Sequence, residues 1–196
     1  MRGLVGLVVC ILLITGCTYY IVPLTTFQGG DVMDKGEMCM GIGGAGMYYE
    51  GELQEFYEID LYQRYGLGWA DIGFRVFGHN VDIYGGQLNV KIPWFKGSVP
   101  VSLDLGVWQA REVIGGCPAL LIGTKRLYGG VKVFTEFAGD DDMPSIVSGF
   151  VGGSWEHRCG VGVIPELSFH VWKRDSDFQV MFLFGLGLQY STSSRD

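Results

Sequence analysis

Much of the chain is written in two-residue steps. In FYEIDLYQRYG, Phe56 to Gly66, the residues Tyr57, Ile59, Leu61 and Tyr65 take one parity and Glu58, Asp60 and Arg64 the other. A strand turns successive side chains to opposite faces, so this segment has one apolar and one charged face. The split recurs: Ala70, Ile72, Phe74 and Val76 oppose Asp71, Gly73 and Arg75, while Leu88, Val90 and Ile92 oppose Gln87, Asn89 and Lys91. Val101, Leu103, Leu105 and Val107 oppose Ser102 and Asp104, and Val163, Leu167, Phe169 and Val171 oppose Glu166, Ser168 and His170. The last run is the cleanest, with Phe178, Val180, Phe182, Phe184, Leu186, Leu188 and Tyr190 on one parity.

Turn signals bound runs near 39–49, 54–66, 68–78, 81–94, 98–110, 117–124, 127–137, 145–157, 160–172 and 177–190. They predict an all-β chain: a single antiparallel up-and-down barrel of about ten strands, or eight if neighbouring runs merge. The segment 117–137, PALLIGTKRLYGGVKVF with its neighbours, reads as either a hairpin or one bent strand.

Alternation alone does not choose which face meets water, since a lipocalin-like soluble barrel has it too. Three features point the apolar face outward, into lipid. The polar face mixes both charges with glycines such as Gly73, Gly85, Gly106, Gly130, Gly185 and Gly187, which suits a crowded interior better than a solvated surface. The connections at one end (Gly66-Leu67, Phe95 to Gly97, Lys125-Arg126 and around Cys159) look shorter than those at the other. The latter are Arg111 to Gly116, Ala138 to Pro144 and Lys173 to Ser176, an asymmetry common in membrane barrels. Third, LFGLGLQY, Leu183 to Tyr190, resembles the terminal-strand signal read by the outer-membrane insertion machinery. The resemblance rests on Gly185, Leu188 and Tyr190; Leu183 stands where a polar residue is usual, and STSSRD follows the aromatic.

The amino terminus supplies a compartment. MRGLVGLVVCILLITGC has a positive start, an apolar run too short to span a bilayer as a helix, and small residues before Cys17, the layout of a secretory signal peptide. Ile14-Thr15-Gly16-Cys17 resembles the lipobox of bacterial lipoproteins. That resemblance implies cleavage before Cys17, its diacylation and, with Thr18 next instead of Asp, sorting to the outer membrane. The expected organisation is a signal-peptide helix at 1–16, a lipidated irregular tether at 17–38, a barrel at 39–190 and a tail at 191–196. The whole chain then resembles small outer-membrane β-barrel proteins in a lipid-anchored form. The implied partners are outer-membrane lipids and the lipoprotein-processing and insertion machineries; no protein partner is indicated.

Composition narrows the alternatives. Of 196 residues 32 are glycine and only 18% are charged, which excludes a disordered chain. A net charge of -7 argues against nucleic acid or an anionic lipid surface as partner. On the polar parity, six acids (Glu58, Asp60, Asp71, Asp104, Glu136, Glu166) face four bases (Arg64, Arg75, Lys91, Lys132), joined by His170. The expectation is a lumen network in which most charges pair, with any residual leak favouring cations. All five tryptophans fall near proposed strand ends, with only Trp94 and Trp155 on the apolar parity.

Specific chemistry is sparse. GIGGAG at Gly41 to Gly46 has the letters of a dinucleotide loop, but no helix follows, so it reads as a glycine-rich strand. Glu166, Ser168 and His170 are the residue types of a hydrolase triad, yet alternate residues on a strand lie about 6.5 to 7 Å apart, so a tight relay would need neighbouring strands. An interior hydrogen-bond network is the stronger reading. Asp140 to Asp142 lack the spacing of a calcium loop, no metal or cofactor is indicated, and His79 and His157 sit in turns without evident partners. Cys39, Cys117 and Cys159 remain after Cys17; Cys39 could pair with Cys159 only if barrel closure brings that turn to the first strand. The resulting expectation is a non-enzymatic structural or interaction protein with a largely plugged lumen. A narrow cation-preferring pore, a lipid-anchored soluble barrel holding a hydrophobic ligand, and a membrane hydrolase follow in that order.

Overall fold

The computed structural model describes residues 26–49, 52–79, 82–124, 126–138, 145–157, 159–174 and 176–192. The proposed signal peptide, Cys17 and the acidic loop Asp140 to Asp142 lie outside these residues. Twelve strands form one antiparallel sheet. In chain order they are β1 (Met38–Tyr49), β2 (Glu52–Gly66), β3 (Asp71–His79), β4 (Asp82–Phe95), β5 (Val101–Ala110), β6 (Val113–Gly116), β7 (Ala119–Thr124), β8 (Leu127–Ala138), β9 (Ile146–Gly152), β10 (Trp155–Glu156), β11 (Val161–Arg174) and β12 (Asp177–Thr192).

The sheet closes. Strand β1 pairs with β2 on one side and β12 on the other, with Ile42 opposite Leu188, and β9 joins β8 to β11. Closure removes the unpaired edges that a flat sheet would leave.

Ten positions make up the wall, as the alternation implied, because two pairs of short strands share a position each. β6 runs against Val107 to Ala110 of β5 and β7 against Val101 to Asp104. Pro118 lies between them; it has no N–H to donate, so the ladder is interrupted there. β10 likewise continues β9 along β11 after a break at Gly153-Ser154. The ambiguous segment is a hairpin, β7 pairing with β8 around Thr124 and Leu127. β12 also runs to Thr192, two residues into the expected tail.

The loop asymmetry expected from the sequence is not present. Val113–Gly116 is strand, so the presumed long connection after β5 shrinks to residues 111–112, and the connection between β11 and β12 is 175–176. Only 139–145 is long at that end, whereas 67–70, 96–100 and 157–160 lie at the other. Strands persist because alternation continues through the supposed loop: Val113 and Gly115 face in and Ile114 faces out.

Candidate functional site

The two faces of the wall have opposite chemistry. Ile42, Leu61, Leu88, Leu105, Phe184 and Leu188 are each about half exposed on the outside, and all seven apolar residues of the β12 run from Phe178 to Tyr190 are exposed. Ile59 is half-buried, and the side chain of Tyr57 lies outside the described residues. Inside, Glu58, Asp60, Asp71 and His170 are fully buried, and Arg64, Arg75, Lys91, Asp104, Lys132 and Glu166 nearly so. A soluble barrel would bury the first set and hydrate the second; a continuous exposed apolar belt is tolerated only against lipid or a partner. The chain is a membrane β-barrel of the outer-membrane type.

Trp69, Trp94 and Trp155 stand exposed together at the end that carries turns 67–70 and 96–100, as interfacial rings do. Trp69 joins the two expected from parity. Trp108 is buried inside the barrel and Trp172 packs against the same interior cluster.

Solved membrane barrels have a similar fold. The KdgM porin matches with TM-score 0.44 at 12% identity, over 78% of this chain and 99% of that one. Neisserial surface protein A (NspA) gives 0.34 at 8% over 79% and 95%, and Ail, the attachment invasion locus protein of Yersinia pestis, 0.34 at 14% over 81% and 99%. At such identities the likeness is one of fold alone. No family model and no curated protein matches the chain.

The barrel interior is not filled by wall side chains alone. Part of the segment read as an irregular tether, Thr26 to Met33, runs inside it as a strap. The carboxylate of Glu166 accepts the Thr26 and Phe27 amides, both at 2.7 Å, and the Tyr128 hydroxyl at 3.0 Å. Arg75 donates to the Thr26 carbonyl at 2.9 Å, Lys91 to the carbonyls of Gly29 (3.2 Å) and Asp31, and Ser102 to that of Gly30. The Gly30 amide reaches the Gly123 carbonyl at 2.8 Å, and the Met33 amide reaches Asp71 at 2.8 Å. Gln28 adds a side-chain contact, donating to Asp104 at 2.6 Å. The lumen charges therefore read the strap's main chain, which would otherwise carry unsatisfied buried amides and carbonyls.

Space for the strap comes from glycines on the inner face of β1. A methyl group at Gly43 would stand 2.3 Å from the Phe27 ring, and one at Gly41 would stand 2.4 Å from the Tyr62 hydroxyl. GIGGAG is thus a strand whose bare inner face admits an aromatic side chain from the strap. Phe27 stacks on Tyr62 with ring centroids 6.2 Å apart and packs in a cluster with Ile164, Phe150 and Tyr128. Its backbone has φ of +50°, a region that costs a non-glycine residue about 1–2 kcal/mol, held here by the two amide bonds to Glu166.

Ion pairs link neighbouring strands and also reach from β2 to β5. Lys91 meets Asp71 at 3.0 Å, Arg75 meets Asp60 at 3.6 Å, and Arg64 lies 3.8 Å from both Asp71 and Asp104. Asn89, which the charge count passed over, donates to Asp104 at 2.7 Å. Lys132 sits over the Phe134 ring, 4.6 Å from its centroid. Glu136 is only half-buried, near the far rim where β6 and β8 lose register.

Ser168 and His170 do contact each other, Oγ to Nε2 at 3.0 Å, so side-chain reach along one strand closes the gap that the strand repeat suggested. The other ring nitrogen meets Ser148 Oγ at 2.6 Å from β9, and Glu166 instead holds the strap. The triad arrangement is absent: histidine lies between two serines, all buried.

The interior also holds a buried apolar cluster, set among Glu58, Ser168 and His170, which lie opposite its members Ala45, Leu183 and Met181. Phe77, Trp108, Phe134 and Leu183, none more than 1% exposed, form a cluster with Ala45, Val113, Cys117 and Met181 in the half away from the strap's entrance. These residues were visible as exceptions on the polar parity. At the entrance a cavity of about 270 Å³ lies between strap and wall, bordered by Asp31, Glu37, Cys39, Arg64, Tyr128 and Gln189.

The remaining sites are simpler. Gly185 faces inward on β12, and Leu188 and Tyr190 face outward beside β1. Cys39, Cys117 and Cys159 are free thiols: Cys39 points inside toward Gln189, while Cys159 is exposed in its turn, 3.2 Å from His157 Nδ1. Closure does bring that turn to the seam, Gly160 accepting the Ser191 amide, but the two thiols face different sides. His157 thus has a partner that the sequence did not suggest. The side chain of His79 lies outside the described residues.

Proposed function

We propose that this protein is a lipid-anchored outer-membrane β-barrel with a structural or interaction role, closed by its own N-terminal segment and not conducting. The observation that carries the reading is the placement of Thr26 to Met33 on the lumen charges, with the apolar cluster of Phe77, Trp108, Phe134 and Leu183 beyond them. The strap occupies the polar part of the lumen, and an apolar constriction beyond it opposes the passage of an ion. A cation-preferring pore is the weaker reading because Glu166, one of the surplus acids, is satisfied by strap amides. Hydrolysis is weaker still, since that engagement removes Glu166 from His170.

The anchor reading rests on the lipobox ending at Cys17, nine residues before Thr26, and places the acylated end near the barrel. Two or three acyl chains hold firmly, each buried methylene contributing about 0.8 kcal/mol. Gly185, Leu188 and Tyr190 are proposed to serve the insertion machinery, and the domain limits become a signal peptide at 1–16, an anchor and strap before β1, and the barrel.

Planar-bilayer recordings on the purified full-length protein test closure. Silence or small cation-selective events are expected; large, weakly selective steps would overturn it. Metabolic labelling tests the anchor: Cys17→Ala should leave a larger precursor without labelled fatty acid, and a wild-type protein that takes up none would overturn lipidation.

A further inference from the structure

The strap is held in a way that does not depend on most of its side chains. Glu166, Arg75, Lys91, Ser102 and Asp71 all bind main-chain groups, as receptors for extended peptides do. Selectivity enters at two points. Phe27 fills the recess over Gly43 and Gly187, beside Tyr62 and Ile164. At Gly30 a side chain is excluded, because a Cβ there would lie 2.7 Å from the Pro100 carbonyl and 2.9 Å from that of Gly123.

Three further features fit an occupant that is separable from the wall. The cavity of about 270 Å³ runs alongside the strap, so the groove is wider than its present occupant. Tyr62 Oη and Gln87 Oε1 are buried without a hydrogen-bond partner among the described residues, leaving polar capacity that the strap does not use. Asp34, Lys35 and Gly36, which connect strap to β1, are exposed, so the connection can be cut without opening the wall.

We propose that the mouth-side half of the lumen is a binding site for an extended peptide carrying an aromatic residue followed three positions later by glycine. Residues 26–33 fill it in cis, and a peptide of the same class occupies it in trans. This rests on the closed-lumen reading and adds a ligand class to it.

The test uses the full chain with a site for a specific protease inserted between Lys35 and Gly36, cleaved after folding into detergent micelles. A fluorescent peptide of residues 26–34, TFQGGDVMD, is then added in excess and its anisotropy followed. Saturable exchange is expected. A Phe27→Ala peptide and a Gly30→Val peptide should each bind at least about tenfold more weakly, and a Val32→Ala peptide within about twofold. Glu166→Gln in the barrel should weaken the parent peptide, since an amide presents a donor to the strap N–H groups. A strap that stays bound and admits no peptide overturns the proposal, as does equal binding of the parent and Phe27→Ala peptides. Bilayer recordings on the same cleaved protein separate the two readings: conductance signals failure of the closed barrel, whereas loss of peptide selectivity in a silent barrel signals failure of the peptide site alone.

Discussion

Replacing Gly43 by alanine is the smallest change that should set the barrel wall against its strap. The added methyl would stand 2.3 Å from one Phe27 ring carbon and 2.9 Å from two more, far inside van der Waals contact. The ring has little freedom to retreat: it stacks on Tyr62, lies 3.4 Å from where a Cβ on Gly187 would be, and its amide is fixed by Glu166. Overpacking of this kind costs about 1–3 kcal/mol. Phe27→Ala alone removes a buried ring and should cost about 3–5 kcal/mol if the strap unfolds together with the barrel. In the double variant the methyl enters space the ring has left, so the Gly43→Ala cost should vanish and the two effects fall short of additivity by about 1–3 kcal/mol. Gly46→Ala is the control on the same strand, since nothing lies within 4 Å of the added carbon. Urea unfolding in lipid vesicles, followed by tryptophan fluorescence and by heat-modifiable gel mobility, gives the four stabilities. Equal costs of Gly43→Ala with and without the Phe27 ring would refute the placement of the strap.

Arginine at Leu105, midway along β5 and exposed on the apolar belt, should cost about 2–4 kcal/mol in the same vesicle assay, while Leu127→Arg at the β7–β8 turn should cost about 0–1; similar costs at both would contradict the lipid-facing assignment. In folded protein a maleimide should modify Cys159 quickly and leave Cys39 and Cys117 unmodified until denaturation, as read by intact mass, because only Cys159 is exposed. Rapid labelling of Cys39 would mean that the mouth cavity admits reagents more freely than its packing suggests.

The sequence by itself determined the class of wall. Strict alternation in FYEIDLYQRYG and in the β12 run fixes which residues share a face, because the two-residue period of a strand is a local property. Charged residues and glycines on one parity and aromatics on the other then choose the outward face. Local pattern also placed turns near strand boundaries, though it ended β5's hairpin too early by treating REVIGG as a loop. What the period does not carry is what lies between walls. Thr26 to Met33 has no alternation, and its glycines read as breakers, because the strap is held through main-chain groups that every residue possesses. Its partners Glu166, Asp71 and Lys91 are far away in sequence, and only closure of β12 on β1 brings them around one lumen. The same holds for Phe77, Trp108, Phe134 and Leu183, which look like lapses in the pattern on separate strands. They become a single apolar cluster when the barrel's closure sets them side by side, because contacts between separate strands are decided by tertiary structure and not by the local period.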